Sequence, residues 1–230
     1  MTVEGNQLHP AAWIFDLDGT LVDTVETRIA AWLQTFVEFG IAADRDQVAR
    51  LIGSDGRRLA RVVAEAAGRE SDSHREEDID RRAGENFSAL NLEPRVLPGA
   101  TELLSALDEH RQRWAIATSS RREQVGASVN ALKLSRPPLI IDGSNVEHAK
   151  PAPDLLLLAA RELDIAPSNG CYVGDSVWDM RAAVAAGMPV IGVVSGSATA
   201  AELTQAGAQF TVDDLTQLVP FVSPPARGLA

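Results

Sequence analysis

The chain has 230 residues, of which 45% are hydrophobic and 23% are charged, a composition typical of a folded protein with one or two domains. Lys and Arg total 21 against 32 Asp and Glu, and the net charge of −11 argues against a broad nucleic-acid-binding surface and against attachment to an acidic membrane. The single cysteine, Cys171, excludes an intramolecular disulfide and a CxxC metal site.

The first ten residues, MTVEGNQLHP, contain neither the basic region nor the apolar stretch of an export signal. The apolar runs of the chain are all shorter than the about 18 residues that a membrane-spanning helix needs. We therefore expect a cytoplasmic protein without membrane or nucleic-acid partners. The sequence leaves open whether it is a monomer or a homodimer.

Short apolar runs alternate with segments of helix length along most of the chain. This alternation predicts an α/β fold, in which parallel strands form a sheet that is covered by helices on both faces. The predicted strands cover residues 11–15, 114–117, 139–141, 171–173, 190–194 and 209–212.

The interval 24–94 lacks a strand pattern and is predicted to be helical. Apolar residues from Val25 to Phe36 recur at spacings of four, three and four, which places them on one face of a helix. Asp23 with Glu26 resembles a capping box at its start, and Gly40 suits its end. Three further helices are predicted over residues 45–52, 57–67 and 76–90. We therefore expect a helical cap domain over 23–94, inserted into an α/β core domain that comprises 1–22 and 95–230.

Two carboxylates follow the first predicted strand. Asp16 and Asp18 are spaced i, i+2, so in an extended chain both point to the same side, at the strand end where open α/β sheets bind ligands. Two adjacent carboxylates repel each other, and a divalent cation or a raised pKa relieves that repulsion. Alone, the pattern also fits an ordinary polar turn.

Hydroxyl side chains follow the second predicted strand. Ser120 and Glu123 are spaced as a capping box, which predicts a helix start, and the hydroxyls and free N–H groups there suit a phosphate. A helix cap without a ligand is the alternative for Thr118 and Ser119. Lys150 lies in a segment stiffened by prolines and is either a fixed cation or an exposed loop lysine.

A second pair of acids follows the strand at 171–173. Asp175 comes directly after Gly174, and Asp179 lies four residues later, in the first turn of a predicted helix. Carboxylates of this kind suit Mg²⁺, which prefers oxygen ligands, and they also stabilise a helix N-terminus.

In their order and strand-end positions, these four segments resemble the motifs of the haloacid dehalogenase (HAD) superfamily. The matching residues are 15–20, Thr118 with Ser119, Lys150 with Pro151, and Gly174-Asp175 through Asp179. The resemblance implies a Rossmann-like parallel sheet core with an inserted α-helical cap, as in the subfamily that contains phosphoglycolate phosphatase and β-phosphoglucomutase.

The resemblance also implies a role for each motif residue. Asp16 would be the nucleophile and Asp18 the general acid and base. Lys150 and Thr118, with Ser119, would hold the phosphoryl oxygens. Mg²⁺ would be bound by Asp16, Asp175 and the backbone carbonyl of Asp18, with Asp179 bound to it directly or through water.

The function that these roles predict is a Mg²⁺-dependent phosphatase that acts on a small phosphorylated metabolite, such as phosphoglycolate or a sugar phosphate, through an aspartyl-phosphate. Dehalogenases of the superfamily lack the second aspartate, whereas this chain has Asp18. A mutase similar to β-phosphoglucomutase is the enzymatic alternative, although residues 24–30 carry no histidine of the kind expected near a mutase hinge. A catalytically silent binding protein is the alternative of another class.

The cap loop 53–58 is predicted to recognise the substrate. Its glycines allow a tight loop, and Arg57 and Arg58 could bind a second anionic or hydroxyl group of the substrate. The alternatives are a solvated connection between helices, or a position for both arginines at the start of the next helix.

Overall fold

The computed structural model describes residues 9–70 and 72–222 of the chain. Most of the segment on which the expectation of no export signal rests lies outside these residues. The described strands are β1 (Ala12–Phe15), β2 (Val22–Asp23), β3 (Arg95–Val96), β4 (Arg113–Ala117), β5 (Leu139–Ile141), β6 (Gly170–Gly174), β7 (Val190–Val193) and β8 (Phe210–Val212). The helices are α1 (Val25–Glu38), α2 (Arg45–Leu51), α3 (Gly56–Ala66), α4 (Ser73–Leu90), α5 (Ala100–Glu109), α6 (Gly126–Ala131), α7 (Asp154–Glu162), α8 (Val177–Ala185) and α9 (Ala200–Ala206).

The main sheet contains the six predicted strands, all parallel, in the order β5-β4-β1-β6-β7-β8. The predicted strand positions are confirmed, with ends that differ by one residue at most. β1 lies between β4 and β6, and in register with them Phe15 pairs with Ile116 on one side and with Val173 on the other. The carboxyl ends of three strands therefore meet at one edge of the sheet.

Both faces of the sheet are buried, as expected for parallel strands. In β1, the side chains of Trp13 and Phe15 join one apolar cluster together with α5, whereas Ala12 and Ile14 join the opposite cluster together with α7 and α8. Full burial of side chains of this size contributes about 1.5–3 kcal/mol each. This packing holds the end of β1 rigidly in place.

Helices α1 to α4 pack on one another around an apolar cluster that Trp178 of α8 also joins, and we call these four helices the cap. The six-stranded sheet with its helices is the core. The four predicted cap helices are confirmed. The two-residue strands β2 and β3 were not expected, and they pair antiparallel where the chain leaves and re-enters the core. The predicted capping box is wrong, because Thr24, not Asp23, precedes α1 and makes no capping bond, while Asp23 binds Arg95.

Among the residues that the structure describes, no helix has both the length and the apolar character needed to cross a membrane.

Candidate active site

The predicted residues of the four motifs meet at the carboxyl edge of the sheet, between the core and the cap. Asp16 follows β1, Thr118 follows β4 and Asp175 follows β6, and these three strands are neighbours. Next to β1 the order of the strands reverses direction, which is the position where open α/β sheets bind ligands.

Lys150 is buried at the centre of this site, with 1% of its side chain exposed. Its ammonium donates to Oδ1 of Asp16 at 2.5 Å and to Oδ1 of Asp179 at 2.7 Å. The hydroxyl of Tyr172 lies 3.1 Å from the same ammonium and 2.9 Å from Asp179 Oδ1. Burial disfavours a charged lysine, but the carboxylates of Asp16 and Asp179 outweigh it and raise the pKa of Lys150. Lys150 is thus a fixed cation, not an exposed loop residue.

Asp16, Asp175 and Asp179 form a buried carboxylate cluster in which an oxygen of each lies within 4.8 Å of the others. Burial raises the pKa of Asp16 to about 7, and the charge of Asp179 adds to this effect while Lys150 opposes it. Burial, followed by the charges of Asp179 and Asp16, also holds the pKa of Asp175 well above its ordinary value. Three acids face one lysine, so the cluster lacks positive charge when all of them are ionised.

The surroundings of Asp175 fit a metal ligand. Thr20 donates to its Oδ1 at 2.7 Å, which leaves Oδ2 pointing between two glycines. A Cβ atom at Gly196 would lie 1.9 Å from Oδ2, and one at Gly19 would lie 2.4 Å from it. The donor set is all oxygen, which suits Mg²⁺. These residues therefore fit a divalent cation held by Asp16 and Asp175, with Asp179 in reach.

Asp179 is held by the start of α8. Its Oδ2 accepts from the backbone N–H of Ser176 at 3.0 Å and from the Ser176 hydroxyl at 2.5 Å, while its other oxygen faces Lys150. Asp179 therefore does both things that the sequence suggested: it caps the start of α8, and it forms part of the site.

The carboxylate of Asp18 faces away from this cluster and toward the cap. Its oxygens accept from Thr24 at 2.7 Å, from Arg28 at 2.8 Å and from Ser120 at 2.5 Å. Burial alone would raise the pKa of Asp18, but the guanidinium of Arg28 and the hydroxyl donors outweigh it and hold this pKa below its ordinary value. The predicted capping box of Ser120 with Glu123 is wrong, because the Ser120 hydroxyl binds Asp18 and the following turn begins without a side-chain cap.

Sequence reasoning did not find Arg28 and Tyr172. Arg28 lies in the first turns of α1, within the apolar stripe that begins at Val25, and a charged residue in such a stripe was the available signal. Tyr172 lies two residues before Gly174 in β6, so the two residues share one face of the strand. No motif marks that tyrosine.

A small cavity of about 60 Å³ lies between the core and the cap at Asp18 and Lys150. Its core side is formed by Asp18, Thr118, Ser119, Ser120, Gln124 and Lys150, and its cap side includes Arg28, Trp32, Ser54, Leu59 and Asp80. Such a volume holds about two water molecules, since a liquid water takes about 30 Å³. A phosphorylated metabolite can therefore enter only when the cap moves away from the core.

Hydrogen bonds hold the cap loop against the core. The N–H of Asp55 donates to the Lys150 carbonyl at 2.7 Å, and the Ser119 hydroxyl donates to the Gly53 carbonyl at 3.2 Å. The indole N–H of Trp178 in α8 also donates to the Arg50 carbonyl of the cap, at 3.0 Å. The structure therefore shows the cap packed onto the site.

Arg57 and Arg58 lie in the first turn of α3, as the alternative interpretation of that loop expected. Arg57 donates to the Glu147 carbonyl at 2.7 Å, and the guanidinium of Arg58 lies 5.0 Å from the ring centre of Trp178. Neither side chain lines the small cavity at Asp18 and Lys150, and both border a different cleft between the cap and the core. Their contact with a substrate stays a prediction.

Comparisons with known proteins match this geometry. Residues 13–193 match the family model of haloacid dehalogenase-like hydrolases. The chain is 29% identical over 230 residues to a phosphoglycolate phosphatase of Pseudomonas putida, covering 96% of this chain and 82% of the relative. It is 30% identical over 197 residues to a β-phosphoglucomutase of Bacillus subtilis, covering 80% and 84%. A hydrolase of Pseudomonas syringae of known structure superposes with a TM-score of 0.86 at 31% identity, covering 91% of this chain and 96% of the other.

Proposed function

This chain belongs to the haloacid dehalogenase-like hydrolase family, and we propose on that premise that it is a Mg²⁺-dependent phosphatase of a small phosphorylated metabolite. The observation that carries the proposal is the contact of Lys150 with Asp16, beside a cavity between the core and the cap that Lys150 and Asp18 line. Phosphatase names among its relatives, the phosphoglycolate phosphatase included, support the reaction class.

The proposed reaction starts at the carboxylate of Asp16, which attacks phosphorus and forms an aspartyl-phosphate. Lys150 lies at Oδ1 of Asp16, where its charge would stabilise the negative oxygens of the phosphoryl group during transfer. We place Thr118 and Ser119 at the same group, because both line the cavity beside Lys150.

Asp18 would give a proton to the leaving oxygen and then take one from the attacking water. For the first step its carboxyl group must leave at least one of its bonds to Thr24, Arg28 and Ser120. Arg28 and Thr24 belong to the cap and to its connection with the core, so movement of the cap would change the contacts of Asp18.

A Mg²⁺ ion would be held by Asp16, Asp175 and the Asp18 carbonyl, with Asp179 direct or through water. When bound, the ion would supply positive charge that neutralises the carboxylates and the phosphoryl oxygens. The charge of the cluster supports this assignment, because Lys150 alone offsets one of its three acids.

The division of the chain into a cap domain over 23–94 and a core domain over 1–22 and 95–230 is part of the proposal. The apolar cluster that the four cap helices form, with Trp178 of α8 packed into it, and the β2–β3 pair at the base of the cap support this division. The cap would exclude water from the site during transfer and open for exchange of substrate.

The experiment that tests the proposal is phosphate release from a panel of small phosphomonoesters, including phosphoglycolate, hexose phosphates and an aryl phosphate. We expect turnover with Mg²⁺ and none in excess chelator. The β-phosphoglucomutase relative favours the mutase as second candidate, and interconversion of hexose 1- and 6-phosphates faster than phosphate release would establish it. Absence of turnover with every compound would favour the silent binding protein.

Arg57 and Arg58 are proposed to contact the distal part of the substrate once the cap has moved. Arg57→Ala or Arg58→Ala should then lower kcat/KM for the best substrate more than for a small aryl phosphate, which has no distal group. Equal effects on both compounds would remove these residues from the site.

A further inference from the structure

We propose that Arg28 is the specificity-determining residue of this site and that it binds a carboxylate on the leaving part of the substrate. This inference rests on the proposed function, because it concerns the group that the phosphoryl transfer releases.

Arg28 reaches the site from the cap and is nearly buried, with 12% of its side chain exposed. Among the described residues that line the small cavity at Asp18 and Lys150, the cationic side chains are Arg28 and Lys150. Lys150 is bound to Asp16 and Asp179 and belongs to the phosphoryl end. Arg28 is therefore the cation that faces the rest of the substrate.

The guanidinium of Arg28 is held in a fixed plane. Its carbon lies 3.4 Å from the ring centre of Phe87, and its Nη1 donates to Gln124 Oε1 at 2.9 Å. The carboxamide of Gln124 fits against the cap because α4 has a glycine there: a Cβ at Gly84 would lie 2.1 Å from Gln124 Nε2. A stacked, oriented guanidinium presents its edge for paired hydrogen bonds, which is the geometry that recognises carboxylates.

The position of Arg28 also matches the length of the substrate. Its Nη2 donates to Asp18 Oδ2 at 2.8 Å, and Asp18 is the group proposed to protonate the leaving oxygen. A carboxylate one carbon beyond the carbon attached to that oxygen would lie beside Arg28 and could take the place of the Asp18 carboxylate on it. The guanidinium already binds one carboxylate at this place, that of Asp18, which supports a carboxylate as the group that it recognises.

The other residues of the cavity do not compete with a substrate carboxylate for Arg28. Asp80, an acid on the cap side of the cavity, accepts a hydrogen bond from Arg121 at 2.7 Å and is therefore paired without Arg28. The other polar residues that line the cavity, such as Ser54 and Gln124, are uncharged hydrogen-bonding groups.

The test compares two phosphomonoesters of equal carbon number, 2-phosphoglycolate and 2-hydroxyethyl phosphate, in which a carboxylate is replaced by a hydroxymethyl group. We expect the wild-type enzyme to favour the carboxylate compound in kcat/KM. Arg28→Gln should reduce this preference by roughly 10- to 100-fold, the range for charge-assisted hydrogen bonds, and Arg28→Lys should reduce it less. The control is Arg82→Gln, an exposed cap arginine paired with Glu38, which should leave the preference unchanged.

The ratio of the kcat/KM values for the two compounds distinguishes recognition of the carboxylate by Arg28 from a purely structural role of this residue. If Arg28 only held Asp18 or the cap, Arg28→Gln would lower kcat/KM for both compounds by the same factor, and the inference would be wrong. A wild-type enzyme that hydrolyses other phosphomonoesters without preferring the carboxylate compound would overturn the inference and leave the proposed function standing. Failure to hydrolyse any phosphomonoester would overturn both.

Discussion

The ammonium of Lys150 lies 2.5 Å from Oδ1 of Asp16, although 134 positions separate the two residues in the chain. The contact joins the loop before α7 to the end of β1, and it places one positive charge among three buried acids. It orients the proposed nucleophile and leaves the cluster short of positive charge.

Asp16→Asn should abolish phosphate release while the protein stays folded. An amide cannot form the acyl phosphate, so kcat should fall by at least about four orders of magnitude. Circular dichroism and the melting temperature, measured beside the kinetics, would show that the fold is intact. Activity within tenfold of wild type in a folded variant would exclude the covalent route.

Removal of the metal should destabilise the protein more at high pH than at low pH. Asp16 has a folded-state pKa of about 7, above the ordinary value of 3.8, so between these values the folded protein retains a proton that the unfolded chain loses. The free energy of unfolding in EDTA should therefore fall as pH rises from about 4 to about 7. Mg²⁺, which binds the folded state, should raise the melting temperature most above that window.

Urea titrations in EDTA and in Mg²⁺ across this pH range would measure the effect. The matched control is Asp16→Asn, which cannot ionise at this position and should show a weaker dependence on pH. An identical pH dependence in the two proteins would contradict the assignment of the raised pKa to Asp16.

Gly196→Ala should weaken Mg²⁺ binding by roughly 10- to 100-fold, the range for residues that position metal ligands. The new Cβ would meet Asp175 Oδ2 at 1.9 Å, and the buried Asp175 is held by Thr20, so the carboxylate has to shift. Calorimetric titration with Mg²⁺ would report the loss. Gly126→Ala is the control, because a Cβ there meets no heavy atom within 4 Å and should leave Mg²⁺ affinity unchanged.

Trp178→Phe should loosen the cap. The change removes the indole N–H bond to the Arg50 carbonyl and keeps an aromatic ring in the cap cluster. A hydrogen bond of about 1 kcal/mol corresponds to roughly a fivefold shift toward the open cap. Hydrogen exchange at the Asp55 amide, which donates to the Lys150 carbonyl in the closed cap, should speed up accordingly.

Trp114→Phe is the matched control for this change. The indole of Trp114 also donates one hydrogen bond, to Asp108 at 2.9 Å, but it lies in the core. Exchange at Asp55 should be unaffected in this variant. Equal acceleration in both variants would mean that Trp178 acts on overall stability and does not hold the cap.

The sequence by itself determined the strands, the four cap helices and the candidate acids. Apolar runs and helical periodicity are local properties, and burial of both faces of β1 enforces them. The resemblance to the haloacid dehalogenase motifs, together with placement at strand ends, predicted that Asp16, Thr118 and Asp175 belong to one site. They meet because the ends of parallel strands share one edge of a sheet.

Only the tertiary structure decided which groups each of these residues touches. Ser120 has the spacing of a helix cap, yet its hydroxyl binds Asp18, 102 positions away. Arg28 appears in the sequence as one charge in an amphipathic helix, and it enters the site only because α1 packs against the core with that face inward. Hydrogen bonds between distant segments depend on how helices and sheets pack, and the spacing of residues along the sequence does not determine that packing.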